Sequence, residues 1–206
     1  MSAPHDHYFT AVPASPAELR PLSVQLVGRP VELVTAGGVF SPDRVDLGTQ
    51  VLLREVPDPP GHGALLDLGC GWGPVSLSLA VLAPEATVWG VDVNERALDL
   101  LRRNAERLGC DGVRASRPGD VPADVRFAAI WSNPPIRVGK AVLHEMLLHW
   151  LPRLATGASA YLVVQRNLGS DSLQRWLDDQ LGGRGFTVSR YASAKGFRVL
   201  RVLAPR

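Results

Sequence analysis

The segment from residue 64 to residue 82 constrains the fold of this chain more than any other. A short apolar run, Ala64 to Leu68, is followed at once by Gly69-Cys70-Gly71-Trp72-Gly73, and Pro74 then opens a stretch with apolar residues at helical spacing. Three glycines in five residues allow a tight backbone path, and proline is tolerated in the first turn of a helix. The segment therefore predicts a β-strand, a turn of phosphate-binding size and an α-helix.

The same alternation of strand and helix continues towards the C-terminus. We expect strands at 87–93, 113–116, 127–131 and 158–164, and helices whose apolar faces run through 97–108, 143–154 and 173–181. Strands at 186–191 and 197–203 are joined without a helix and are expected to pair in antiparallel, and a hairpin at 22–35 precedes the alternation. The pattern predicts a Rossmann-like α/β fold: a mostly parallel seven-stranded sheet with helices on both faces and one antiparallel strand at or near its edge.

Length and composition fit one cytosolic domain. The chain has 206 residues, 46% of them apolar, with no apolar stretch near the ~20 residues of a membrane span and no secretion signal in the first ten. Cys70 and Cys110 have neither metal-ligand spacing nor a disulfide framework, which suits a reducing compartment. We expect residues 1–20 to be a flexible segment, with His5 and His7 solvated and not metal-binding, and residues 21–206 to form the domain.

Acidic residues at the ends of predicted strands indicate a nucleoside-type ligand. At the end of the first strand, Asp67 disfavours a pyrophosphate and favours a ligand with a cationic amino group. Asp92 follows 25 positions later, where a carboxylate can accept hydrogen bonds from ribose hydroxyls. Asp120 can accept from an adenine amino group or act only as a turn residue. A glycine turn without a ligand and a nicotinamide-dependent oxidoreductase stay open as alternatives, and Cys70 is expected to pack inside the turn.

The turn Asn133-Pro134-Pro135-Ile136 indicates the reaction. An amino group on a purine or amide carbon is a poor nucleophile because its lone pair is delocalised, so a catalyst must hold its hydrogens and aim the lone pair. An Asn side-chain oxygen and a backbone carbonyl in a proline-stiffened turn can do this. Methyl transfer from a sulfonium is an in-line displacement in which orientation lowers the barrier without a strong base. This agrees with a sequence in which no Ser, His or Cys constellation is compelling.

Because it contains both the glycine-rich turn and the Asn-Pro-Pro turn, the chain resembles the class I S-adenosylmethionine-dependent methyltransferases. The resemblance is greatest to the small-domain family typified by bacterial small-subunit rRNA guanine-N2 methyltransferases. The resemblance runs from about Leu22 to the C-terminus and implies S-adenosylmethionine as the cofactor. It implies a target nitrogen held by Asn133, Pro134, Pro135 and Ile136, and cofactor contacts from Asp67, Gly69, Cys70, Gly71, Gly73, Asp92, Val93, Asp120 and Asn133. Gly38-Val39-Phe40-Ser41 and Asp46-Leu47-Gly48-Thr49 resemble the family's segment that covers the cofactor, which adds Phe40, Asp46, Gly48 and Thr49. The catalytic core would then span 61–206, preceded by the hairpin and covering segment at 21–60.

The same resemblance implies an RNA substrate, namely rRNA or a ribosomal subunit. Ile136 replaces the aromatic residue usual in the protein-glutamine and DNA-adenine relatives, which favours guanine. Because the rRNA guanine enzymes commonly carry two such domains and this length fits one, RNA contacts would fall to the hairpin at 22–35 and to the C-terminal strands. The segment 184–206 has six basic and no acidic residues, and Tyr191 or Phe197 can stack on a base. Protein-glutamine and small-molecule methylation, and a non-catalytic RNA-binding role, are the alternatives.

Overall fold

The computed structural model describes residues 18–206, so most of the predicted flexible segment, including His5 and His7, lies outside the described residues. This part of the chain contains nine strands and five α-helices. The strands are β1 Arg20–Leu26, β2 Arg29–Thr35, β3 Ala64–Leu68, β4 Thr87–Val91, β5 Val113–Ser116, β6 Phe127–Ser132, β7 Leu154–Gln165, β8 Thr187–Ala194 and β9 Phe197–Leu203. The helices are α1 Leu47–Glu55, α2 Pro74–Leu82, α3 Glu95–Leu108, α4 Lys140–Trp150 and α5 Ser170–Leu181.

Seven of the strands form one sheet in the order β5-β4-β3-β6-β7-β9-β8. All neighbours from β5 to β7 pair in parallel, whereas β9 pairs in antiparallel with both β7 and β8. The single antiparallel strand is therefore second from the edge, as the helix-free connection between the last two strands predicted. Strands β1 and β2 form the separate N-terminal hairpin. The predicted fold class is confirmed.

Helices cover both faces of the sheet, because adjacent strand residues point to opposite sides. On one face Leu66 and Leu162 pack with the apolar sides of α4 and α5. On the other face Leu65 and Val163 pack with α1 and α2. This burial on both faces explains why the central strands read as continuous apolar runs.

A third cluster joins the hairpin to α3 and to the glycine loop. Its polar centre is Asn104, which is fully buried. The Asn104 side chain accepts from the Val34 amide at 2.8 Å and donates to the carbonyls of Val34 and Trp72 at 3.0 and 3.1 Å. One side chain thus satisfies backbone groups from both the hairpin and the glycine loop.

The covering segment, residues 36–46, runs from the hairpin to α1 and is tied to the core by side-chain donors. The Trp72 indole donates to the Ser41 carbonyl at 3.0 Å. The Asn94 side-chain amide donates to the Gly38 carbonyl at 2.8 Å, and the Arg96 guanidinium donates to the Gly37 carbonyl at 2.8 Å. These bonds hold the segment as a wall beside the carboxyl edge of the sheet.

Several boundaries differ from the predicted ones. Strand β4 ends at Val91, because the next residue turns its carboxylate onto loop amides. Helix α4 ends at Trp150 and Leu154 already belongs to β7, since Pro152 cannot donate the next helical hydrogen bond. Helix α1 was not predicted, although Asp46 caps its first amides. No helix among residues 18–206 is long and apolar enough to cross a membrane.

Candidate active site

A cavity of about 990 Å³ opens at the carboxyl edge of the sheet, beyond β3, β4, β6 and β7. Ligands of open α/β sheets occupy this position, and the volume suits a nucleoside-sized molecule. The predicted site residues that line it are Phe40, Asp46, Gly69, Gly71, Asp92, Val93, Asn133, Pro134, Pro135 and Ile136. Thr49, Asp67 and Cys70 line a smaller adjoining cavity of about 30 Å³, which Asp46 and Asn133 share.

The glycine loop, residues 69–73, is held against β4 by its backbone. The amides of Gly69 and Cys70 both donate to the Val91 carbonyl, at 2.8 and 3.0 Å. Gly69 and Gly71 have φ values of 80° and 54°, in the left-handed region that favours glycine, and both face the cavity. The main chain of the loop can therefore approach a ligand closely.

Three predicted residues line neither cavity. At Gly73 a Cβ would stand 2.5 Å from a Leu101 side-chain carbon, so this glycine allows α2 to pack tightly on α3. Asp120 is exposed at the end of a single 3₁₀ turn whose other residues, Pro118 and Gly119, do line the large cavity. The third residue, Gly48, lies next to the side chain of Asn133.

Asp67 is buried at the end of β3, below the glycine loop. Its Oδ2 accepts from the Ser76 amide at 2.8 Å and from the Ser76 hydroxyl at 2.6 Å. Burial nevertheless raises the pKa of this carboxyl to about 7. A cationic group next to Asp67 would favour the ionised form, so the site is suited to an ammonium. Burial also raises the pKa of the neighbouring Cys70 thiol well above its usual range, which makes it a packing residue.

Asp92 connects the glycine loop to the loop that follows β4. Its Oδ2 accepts from the Gly71 amide at 3.0 Å and its Oδ1 from the Asn94 amide at 2.9 Å. Burial raises the pKa of this carboxyl as well. Each oxygen has lone pairs beyond the one used here, and Asp92 lines the cavity, so the carboxylate can still accept from a ribose diol. Val93 beside it is 46% exposed and adds an apolar wall.

Asn133 follows β6 and has its amide group fixed from one side. The Nδ2 group donates to Asp46 Oδ2 at 2.9 Å and to Thr49 Oγ1 at 3.1 Å. A carboxylate only accepts, so this contact requires the nitrogen on that side. The Asn133 Oδ1 accepts nothing from the described residues and is not among their buried unpaired atoms, so it is open to the cavity.

The backbone of the turn is fixed as well. The Ser132 hydroxyl donates to the Leu68 carbonyl at 2.6 Å, which ties the end of β6 to the end of β3. The Ile136 amide donates to the Pro134 carbonyl at 2.8 Å, and that carbonyl keeps a second lone pair. Two oxygens of the turn, one from a side chain and one from the backbone, can thus accept from one ligand amino group.

Gly48 allows α1 to approach Asn133. A Cβ at this position would stand 2.9 Å from Asp46 Oδ2 and 3.3 Å from Asn133 Nδ2. The Phe197 ring edge lies 3.0 Å from the same point. Any larger residue would push apart the groups that hold the amide.

Residues that the sequence did not indicate as site residues complete the far side of the cavity. Val142, Glu145, Met146 and His149 lie on one face of α4 at helical spacing and all line it. The buried face of the same helix, residues 143, 147 and 150, was predicted from its apolar spacing. The residues of the cavity-facing side are of mixed chemistry, so no pattern in the sequence indicated that they line a site. Gln165 of β7 and Phe197 of β9 add another wall.

Tyr191 and His144 lie apart from this arrangement. Tyr191 is exposed and does not line the cavity, and its ring meets Tyr161 edge-on at 5.1 Å. His144 stacks on Trp176 with ring centres 3.5 Å apart, while His149 faces the cavity. Residues 18–206 contain no group of three or more His, Cys, Asp or Glu side chains that could hold a metal ion.

Together, the strand order with its single antiparallel strand and the cavity between the glycine loop and the Asn-Pro-Pro turn define a class I methyltransferase fold. A family model described as "Methyltransferase small domain" matches residues 30–201. The chain belongs to this family and is a methyltransferase.

Individual relatives agree with this assignment. The chain is 31% identical to the uncharacterized protein YbxB of Bacillus subtilis, over 95% of this chain and 97% of that protein. It is 35% identical to ribosomal RNA small subunit methyltransferase C of Ectopseudomonas mendocina, over 92% of this chain and 56% of the relative. Among solved structures, the T. thermophilus 16S rRNA N2 G1207 methyltransferase (RsmC) in complex with AdoMet and guanosine superposes with a TM-score of 0.77 and 26% identity, over 94% of this chain and 52% of that one. The chain thus spans about half the length of these two rRNA methyltransferases.

Proposed function

We propose that this protein transfers a methyl group from S-adenosylmethionine to the exocyclic N2 of a guanine in small-subunit rRNA. The observation that carries the proposal is the fixed amide of Asn133. Its nitrogen is held by Asp46 and Thr49, which leaves Oδ1 facing the cavity beside the Pro134 carbonyl. Two acceptors on adjacent residues of one turn suit the two hydrogens of an amino group on a planar ring.

The chemistry follows from this orientation. The Asn133 oxygen and the Pro134 carbonyl accept hydrogen bonds from the two N–H groups of the guanine amino group. This turns the lone pair of the amino nitrogen out of conjugation and towards the methyl group. The bound cofactor supplies that methyl on a sulfonium. As the new N–C bond forms, the C–S bond breaks, and the methylated nitrogen then loses a proton to water. Orientation alone can lower such a barrier by several kcal/mol, so no strong base is required.

The residues at the other end of the cavity fit this cofactor. Asp92 retains acceptor capacity for ribose hydroxyls, and the loop backbone at Gly69 and Gly71 allows close approach. Asp67, with a carboxyl pKa of about 7, suits an amino acid ammonium at the adjoining cavity. The AdoMet complex of the T. thermophilus relative supports the same assignment.

The substrate is inferred from Ile136 and from the relatives. Ile136 lines the cavity where protein-glutamine and DNA-adenine enzymes present an aromatic ring, and the T. thermophilus relative holds guanosine. We further infer that residues 21–206 act as one domain, with 21–60 as hairpin and covering segment. A ribosomal substrate and the free thiols of Cys70 and Cys110 also favour the cytosol.

The proposal is tested by methyl transfer from radiolabelled S-adenosylmethionine to small-subunit rRNA of cells that lack the protein, with the modified nucleoside mapped by mass. We expect N2-methylguanosine at one position with the wild type. Asn133→Ala should abolish transfer while calorimetry still detects S-adenosylhomocysteine binding. Asn167→Ala, the same change at an exposed position that does not line the cavity, is the matched control.

Three results would overturn the proposal. Label on protein in place of RNA would assign a glutamine-directed activity, and label on a small molecule would assign that class. Cofactor binding with no transfer to rRNA, ribosomal subunits or protein would leave a non-catalytic RNA-binding module.

A further inference from the structure

Three cations lie at the carboxyl edge of the sheet, close in the chain to residues that line the cavity, and we name them the basic rim: Lys140, Arg166 and Lys195. The chain contains only two lysines, and both belong to this group. All three side chains are exposed, and none makes a hydrogen bond or ion pair with a residue between 18 and 206. By contrast, Arg190 and Arg198 nearby are both paired with Asp171.

The rim residues come from three elements that meet at the carboxyl edge of the sheet. Lys140 is the first residue of α4, Arg166 follows β7, and Lys195 occupies the turn between β8 and β9. The Arg166 amide donates to the Gly196 carbonyl at 2.9 Å, which fixes two of these elements side by side. Each rim residue is within two positions of a residue that lines the cavity.

Phe197 stands between this rim and the reacting position. It pairs with Gln165 across β7 and β9, and both side chains line the cavity. A Cβ placed on Gly48 would lie 3.0 Å from the edge of the Phe197 ring and 3.3 Å from Asn133 Nδ2. The ring and the amide group are therefore close neighbours. The ring is only partly buried, so one side packs towards α1 while the other is left for a ligand.

We propose that the basic rim and Phe197 form the surface on which this domain docks a single-stranded or looped segment of RNA. The cations contact phosphates, and Phe197 stacks on the guanine whose amino group Asn133 holds. The proposal rests on the proposed function and names how its substrate is recognised. A positive groove with an adjacent aromatic ring is the combination that binds unpaired nucleotides, because charge tracks the backbone and the ring accepts an unstacked base.

The basic rim is tested by RNA binding without turnover. The probe is a fluorescein-labelled 30-nucleotide RNA stem-loop with a guanine in the loop, titrated in the presence of S-adenosylhomocysteine at several salt concentrations. For the triple variant Lys140→Gln, Arg166→Gln, Lys195→Gln, we expect the slope of log K against log salt to become shallower by about 2. Counterion release from three phosphates predicts roughly 50-fold weaker binding at 0.15 M salt.

A matched triple variant removes the same charge from the opposite edge. Arg107→Gln, Arg114→Gln, Arg126→Gln changes exposed arginines where α3 ends, where β5 begins and before β6 begins. We expect it to bind the probe as the wild type does. Equal losses for both triple variants, or no loss for the rim variant, would overturn the docking surface.

Phe197 is tested by substitution and by photocrosslinking. Replacing the loop guanine with 6-thioguanine should give a crosslink to the peptide that contains Phe197. Phe197→Leu should lower kcat/KM for rRNA by about 5- to 150-fold, the range for loss of one stacked base, with unchanged affinity for S-adenosylhomocysteine. Phe197→Tyr should restore the rate, and Tyr191→Leu, an exposed ring off the cavity, should have no effect.

A role for Phe197 in packing alone would give a different pattern: Phe197→Leu would then lower Tm and cofactor affinity together, and the crosslink would map elsewhere. Either result overturns its role in stacking. The two proposals fail separately, because the binding assay requires no methyl transfer. If rRNA is methylated but the rim variant binds normally, only the docking surface is wrong. If no rRNA is methylated, the proposed function is wrong whatever the rim does.

Discussion

Asp46 is the residue whose replacement tests most directly whether the Asn133 amide must be held in one orientation. Asp46 Oδ2 caps α1 by accepting from the Gly48 amide at 2.8 Å, and the same atom accepts from Asn133 Nδ2 at 2.9 Å. Asp46→Ser keeps the helix cap, since serine is as good an N-cap as aspartate, but its side chain is too short to reach Asn133. The substitution therefore isolates the second role.

The size of the effect follows from the two bonds that hold the amide. The contact with Asp46 involves a charged acceptor and is worth about 1.5–3 kcal/mol, whereas that with Thr49 is neutral and worth about 0.5–1.5 kcal/mol. If the first is lost, the amide can rotate and present its nitrogen to the cavity. We expect Asp46→Ser to lower kcat by about 10- to 150-fold and Thr49→Val by about 2- to 10-fold.

The measurement is single-turnover methyl transfer to rRNA, with S-adenosylhomocysteine affinity and Tm recorded alongside. Asp46→Asn is the graded control: it keeps an acceptor and a cap but removes the charge, so its kcat should fall between those of the wild type and Asp46→Ser. In an Asn133→Ala background the Asp46→Ser change should have little further effect. A kcat within 3-fold of wild type for Asp46→Ser, or a loss explained by weaker cofactor binding alone, would refute the reasoning.

Three further predictions concern glycine, charge and buried amide positions. Gly48→Ala should lower kcat at least 10-fold in the same assay, because the added Cβ crowds Asp46 and Asn133; full activity would contradict this. Because Asp67 has a raised pKa in the folded state, the folded protein keeps a proton that the unfolded chain releases, so its contribution to stability falls as pH rises from about 4 to 7, by up to about 4 kcal/mol. Denaturant titrations at pH 4.5 to 7 should show a flatter dependence for Asp67→Asn, and parallel curves would refute it. Asn104→Ala should lower Tm by about 5–15 °C in thermal unfolding, since it leaves buried backbone groups of Val34 unpaired, and a shift below 2 °C would exclude that role.

Local sequence patterns were sufficient to predict the order of strands and helices, with the exception of α1. Glycine and proline mark the turns after β3 and β6, and apolar periodicity separates the strands from the helices. Because parallel strands share a carboxyl edge, the glycine loop and the Asn-Pro-Pro turn were expected to meet, and both line one cavity. These inferences need only the near neighbours of each residue.

Contacts between distant parts of the chain could not be predicted in the same way. Asp46 and Asn133 are 87 positions apart, and the sequence indicated Asp46 only as part of a covering segment. Likewise, the second stripe of α4 and the ring of Phe197 acquire their positions from the way α4 and β9 pack at the sheet edge. For Gly73 the local pattern was misleading. Its place in a glycine-rich motif suggested a ligand contact, whereas in the structure it packs against Leu101.

The covering segment has a kinetic consequence. Three side-chain donors, Trp72, Asn94 and Arg96, bind its carbonyls, so swinging it aside as a flap would cost about 2–5 kcal/mol and leave roughly one molecule in thirty, or fewer, open. Phe40 of this segment lines both cavities, so exchange of the cofactor past this wall depends on that rarely populated open state.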